Sequence, residues 1–235
     1  MKRLKKTKRI ILLIVFCIPF LTQAQDVTQL VEKVKAKIEL VNDYTASGKM
    51  KTNVSFLKVP VANIKIYFKK PNLVKIKNET GISFIPKGAV SIDLNNILSN
   101  GGYTVLDAGN DKIGSTAVKV VKLLPEDDNA EVVLSTLYID ETRQVILKTK
   151  TTTRDNGSYE LEMSYGKYVA YGLPDKIIFS FNTKEYKLPK GVTFDFDDGS
   201  NAKKQVDKTK NKKGRAELSI SSYLINKGLS DAVFK

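Results

Sequence analysis

A period-two alternation of apolar and polar side chains, repeated along most of the chain, limits its fold more than any other feature. In 157–165, "GSYELEMSY", Tyr159, Leu161, Met163 and Tyr165 share one parity, and Ser158, Glu160, Glu162 and Ser164 share the other. Side chains on a strand point alternately to opposite faces, so this pattern reads as a half-buried strand. Asp155-Asn156-Gly157 just before it is a hairpin turn signal. Residues 176–182, "KIIFSFN", repeat the alternation at Ile177, Phe179 and Phe181. In 64–77, "IKIYFKKPNLVKIK", Ile64, Ile66 and Phe68, then Val74 and Ile76, oppose Lys65, Lys69, Lys75 and Lys77. Met50, Val54 and Phe56 likewise oppose Lys49, Lys51 and Ser55.

The same reasoning predicts strands at 103–107, 116–124, 131–140, 144–153, 157–171, 176–183 and 216–226, with a short one at 82–85 before Pro86. In the last long strand Ala216, Leu218 and Ile220 are even, whereas Tyr223 and Ile225 are odd. A bulge near Ser221-Ser222 restores the facing. Two segments switch to helical spacing. In 26–41 Val27, Leu30, Val31, Val34, Ile38 and Val41 form one stripe, with Asp26 as the expected N-cap. In 90–99, "VSIDLNNILS", Ser91 is the expected cap and Gly101-Gly102 the stop. Residues 200–215 carry almost no apolar side chain and read as a basic, solvated loop. The fold class is therefore α+β, mainly antiparallel β: one strongly curved sheet with helices on one side.

The start of the chain is expected to be a leader. Lys2, Arg3, Lys5, Lys6, Lys8 and Arg9 precede the apolar run "IILLIVFCIPFL" at 10–21, and Thr22-Gln23-Ala24 offers a small-residue cleavage site. Residues 1–24 thus read as a secretory signal peptide, and 25–235 as one exported domain. Phe16 before Cys17 does not fit a lipoprotein signal, so Cys17 is assigned to the apolar run. Without the six basic leader residues, 33 Lys and Arg stand against 25 Asp and Glu, a net charge of +8. That balance aids solubility and does not specify nucleic acid.

Beyond the leader there is no cysteine and no histidine. A Ser-His-Asp triad, a cysteine nucleophile and a His/Cys zinc site are excluded. No glycine-rich phosphate loop is present. "PEDDNAE" at 125–131 and "DFDDGS" at 195–200 are acidic, but lie where turns are expected and lack EF-hand spacing. Neither a metal site nor a cofactor is expected.

Four stretches, in this order, resemble the LolA/LolB-like superfamily of periplasmic lipoprotein carriers: the leader and amphipathic helix followed by "YTASGKMKTNVSFL"; "IYFKKPNLVKIK"; "LYIDETRQVILKTKTTTRDNGSYELEMSY", where an Asp begins the turn; and "YGLPDKIIFSF" with "LPKGVTFDF". The likeness spans about residues 28–196 by pattern. It implies an incomplete β-barrel closed by a helical lid, with an apolar cavity that receives acyl chains. The wall residues it implies are Met50, Val54, Phe56, Ile64, Ile66, Phe68, Val74, Ile76, Tyr159, Leu161, Met163, Ile177 and Phe179. Ile92, Leu94, Ile97 and Leu98 would belong to the lid. Lys70 would stand at the rim, where the well-studied carriers have arginine before the proline.

The resemblance implies a monomeric, non-enzymatic carrier in the periplasm. It would bind acylated lipoproteins or other acyl lipids, and would work between an inner-membrane lipoprotein-releasing transporter and an outer-membrane acceptor. Three alternatives stay open on the residues alone. The apolar face could be a fully packed core. The fold could serve as an envelope regulatory or sensor module, or bind free lipids. A carboxylate pair could make it an enzyme.

Overall fold

The structure, a computed structural model, describes residues 21–54, 57–58, 61–71, 73–79, 102–155, 157–182 and 213–234. Helix α1 (Leu21–Glu39) leads into β1 (Asp43–Val54), β2 (Leu57–Lys58), β3 (Ala62–Lys69) and β4 (Leu73–Asn78). A meander follows: β5 (Tyr103–Ile113), β6 (Thr116–Pro125), β7 (Val132–Asp140), β8 (Val145–Thr153), β9 (Gly157–Ser164) and β10 (Lys176–Asn182). The last strand is β11 (Lys213–Ile225). The expected strand at 82–85 and helix at 90–99 lie outside the described residues, as do positions 200–212 of the expected loop.

The pairing is antiparallel throughout and forms one sheet ordered β4-β3-β1-β11-β10-β9-β8-β7-β6-β5, with β2 paired to β1 alone. Among the described residues the edge strands β4 and β5 do not pair with each other, so the curved sheet is an incomplete barrel. β11 is no appendage. It sits between β1 and β10 and joins the N-terminal strands to the meander. It also starts earlier than expected: Lys213, Gly214 and Arg215 belong to it, paired with Asn182, Phe181 and Ser180. The Phe181 ring fills the space where a Cβ on residue 214 would stand, which suits glycine there. The bulge falls as expected. Ser47 pairs with Ser222 and Gly48 with Ile220, so Ser221 is the extra residue.

Three other boundaries differ. α1 starts at Leu21, so Asp26 lies inside it and is no N-cap. β5 continues to Ile113, because its polar second half still pairs with β6 up to the tight turn at Gly114 (φ 59°). Both faces are exposed there, which removes the apolar alternation. β9 ends at Ser164, where Asp175 N–H closes onto the Ser164 carbonyl. A 3-10 turn at Val169–Tyr171, ended by left-handed Gly172 (φ 64°), replaces the expected continuation.

α1 presents Val27, Leu30, Val31 and Val34 to the inner face of the meander, against Val121, Leu123, Leu137, Ile139, Leu161, Met163 and Phe179. Each such burial contributes roughly 1.5–3 kcal/mol before entropy is counted. A second cluster gathers the N-terminal strands and β11: Ala46, Met50, Ala62, Ile64, Ile66, Phe68, Ile220 and Tyr223, joined by Val41 and Leu173. The helix thus serves the meander half, and the second half packs largely on itself.

Candidate functional site

Between these two clusters the inner face opens into a cavity. It is lined by Tyr44, Met50, Ile66, Ile76, Ile177, Phe179, Ala216, Leu218 and Tyr223, with Glu217 at its margin. Its volume is about 60 Å³. The lining is mostly apolar, which suits an apolar group.

The sheet explains the lining. Met50 faces Leu218 across the β1–β11 pair, Leu218 faces Ile177 across β11–β10, and Ala216 faces Phe179. Ile66 faces Ile76 on β4 and Ala46 on β1. Ala216, in this floor, carries only a methyl group.

One end of the cavity is aromatic. Tyr44 stacks on Phe68 with ring centroids 5.2 Å apart and meets Tyr223 edge-on at 5.3 Å. Tyr168 meets the other side of Tyr223 at 4.9 Å. The Tyr223 hydroxyl donates to the Pro174 carbonyl at 2.8 Å. Burial pushes that hydroxyl's pKa far above the usual tyrosine value, and Tyr44 and Asp175 add to the shift. The group therefore stays neutral and serves as a fixed, hydrogen-bonded wall.

Of the expected wall residues, Met50, Ile66, Ile76, Ile177 and Phe179 come together in the cavity lining. Ile64 and Phe68 lie in the N-terminal cluster, and Val74 packs against it. Leu161 and Met163 lie beneath α1, with Tyr159 packed at that cluster's edge. Val54 ends β1 and its side chain is outside the described residues; so are Phe56 and the expected lid positions Ile92, Leu94, Ile97 and Leu98. Lys70 stands at the β3–β4 turn, and its Nζ donates to the Glu39 carbonyl at 2.6 Å.

Tyr44, Ala216, Leu218 and Tyr223 were missing from the expected wall. The parity slip in 216–225 marks which of the β11 side chains share a face. It does not show that this strand lies next to β1. Among the described residues no three His, Cys, Asp or Glu side chains gather as metal ligands. No described helix is long and apolar enough to cross a membrane.

No protein-family model and no curated protein sequence matches the chain. Solved structures do. A Vibrio parahaemolyticus domain, provisionally described as an outer membrane lipoprotein-sorting protein, is similar with a TM-score of 0.58 and 12% identity, over 90% of this chain and 97% of that one. A LolA superfamily protein from Nitrosomonas europaea gives 0.52 and 11%, over 89% and 97%. A DUF1329 family protein from Desulfovibrio piger gives 0.54 and 12%, over 89% and 97%. At these identities the likeness is one of fold: the chain has the LolA-like fold, an incomplete curved barrel with a helix over its inner face.

Proposed function

We propose that the protein is a non-enzymatic periplasmic carrier that takes the acyl chains of lipoproteins into the inner cavity and delivers them toward the outer membrane. The observation that carries this reading is the apolar cavity between the two core clusters of a LolA-like fold. The open space is small, so an acyl chain enters by displacing side chains. Candidates for displacement are those of the expected lid, Ile92, Leu94, Ile97 and Leu98. Burial of apolar chain is worth about 0.8 kcal/mol per CH₂. Opening the lid costs part of that gain, which keeps release within reach. Residues 1–24 act as the export signal and 25–235 as the carrier domain. A lipoprotein-releasing transporter and an outer-membrane acceptor are the partners this cargo requires.

The test is to isolate the tagged mature protein gently from its own periplasm and identify bound species by mass spectrometry. Triacylated lipoproteins are expected, and Ile177→Glu, a half-buried wall position, should lose them while the protein remains folded. Free lipids alone would keep the cavity and remove lipoproteins as its cargo. A tightly bound protein partner with no acyl species would sink the carrier reading.

A further inference from the structure

The outer face of the β4–β3–β1 half is basic. Lys65 pairs with Lys77, Tyr67 with Lys75, and Lys49 with Asn63, so these side chains leave the sheet on the side away from the cavity. Lys51 lies on the same side, opposite Glu217. Five lysines therefore share three adjacent strands, about 4.8 Å apart. At that spacing their fields add within a Debye length of about 8–10 Å.

Acids meet part of this charge at its margins: Asp231 is bonded to Lys69, which shares the face, at 2.6 Å. Glu79 is bonded to Lys65 at 2.5 Å. Glu217, at the margin, is held by Lys176 at 2.7 Å. The outer face of the meander differs. There Lys148 and Lys150 meet Glu160 and Glu162 in a ladder of ion pairs, so charge is balanced. Among the described residues, excess positive charge thus lies on the β4–β3–β1 half of the sheet.

We propose that this basic face docks on an anionic bilayer surface through phospholipid headgroups. The charges are lysines, and no arginine occurs in β1, β3 or β4. Lysine acts as a point charge that suits mobile phosphates, whereas planar, bidentate partners favour arginine. Lys77 Nζ lies 5.7 Å from the centre of the Tyr67 ring, a pairing of cation and amphipathic ring that fits a headgroup layer.

The β11 bulge adds a recess of about 290 Å³, lined by Ser47, Lys49, Asn63, Ser219 and Ser221 together with Ile64 and Ile220, with Glu79 at its edge. The docking does not depend on what the cavity carries.

The experiment is co-sedimentation of the full mature chain with phosphatidylcholine vesicles, with and without one third phosphatidylglycerol. One variant carries Lys49→Gln, Lys51→Gln and Lys77→Gln. A second, with the same change in net charge, carries Lys112→Gln, Lys122→Gln and Lys150→Gln on the meander half. Binding should require phosphatidylglycerol and weaken with added salt. At a cost of about fivefold per lysine, the first variant should lose tenfold or more, and the second far less. Equal losses in the two variants would overturn the proposal. So would wild-type protein that ignores anionic vesicles, including one that captures an acidic protein instead.

Discussion

The Lys70 ammonium donates a 2.6 Å hydrogen bond to the carbonyl oxygen of Glu39, the last residue of helix α1. A helix C-terminus leaves its last carbonyls without partners and carries partial negative charge, so a lysine there satisfies both. The Lys70 backbone N–H also donates to the Asn42 carbonyl at 2.9 Å. One residue of the β3–β4 turn thus fastens the end of the helix and the start of β1. Lys70→Met should lower stability by about 1 kcal/mol, read from urea unfolding. Hydrogen exchange should quicken in the last turn of α1, and Lys70→Arg should restore most of it. Unchanged exchange in that turn would show that the bond holds nothing in place.

A second fastening closes the same end of the sheet. The buried Asp43 carboxylate accepts the backbone N–H groups of Lys227 and Gly228 at 3.0 Å. Asn226, with φ 56°, accepts the Asn42 N–H at 2.7 Å and donates to the Leu40 carbonyl. Asp43→Ala removes a charged acceptor from two N–H groups and should cost about 2–3 kcal/mol. Limited proteolysis should then cut first after Ile225. A cut elsewhere, with the 226–234 segment still protected, would contradict this role.

The two core clusters predict a split between stability and binding. Leu161 is fully buried beneath α1, so Leu161→Ala should cost about 2–5 kcal/mol. Ile177 is only half-buried and lines the cavity, so Ile177→Ala should cost about 1 kcal/mol. Binding of a fluorescent acyl probe should rank them the other way, with Ile177→Ala the more altered. Equal effects on probe binding would mean that the cavity is not the acyl site.

Asp140 opens the β7–β8 turn with only 4% of its surface exposed. Burial alone would raise its pKa. The Arg143 backbone N–H at 3.0 Å and guanidinium at 2.7 Å outweigh that and hold the carboxyl below its ordinary 3.8. A carboxyl depressed in the folded state contributes stability that is full above the unfolded value and fades as pH falls through the folded one. Asp140→Asn should therefore be less stable than the parent at neutral pH, and the gap should narrow below about pH 4. A gap constant between neutral pH and pH 2 would rule out this linkage.

Much of the fold was legible in the sequence because strand alternation is local. The inner faces of β3, β9 and β10, the hairpin turn before Gly157 and the bulge at Ser221 follow from residues within a few positions of one another. The Asp at the start of the β7–β8 turn belongs to the same class, since its bonds to Arg143 span three residues. Boundaries failed where neighbours supplied what periodicity did not. β5 runs on through exposed residues because β6 pairs with it, and β11 starts early because β10 does.

The sequence by itself determined which side chains share a face, and hence that one side of the sheet is apolar and the other charged. Only the tertiary structure decided which faces meet. β11 pairs with β1, some 170 residues away in the chain, and no local spacing encodes such a partner. That pairing sets Tyr223 beside Tyr44 and Leu218 beside Met50, and so makes the cavity. The physical reason is that a strand's periodicity fixes the direction of its side chains, whereas its neighbours are fixed by the packing of the whole sheet.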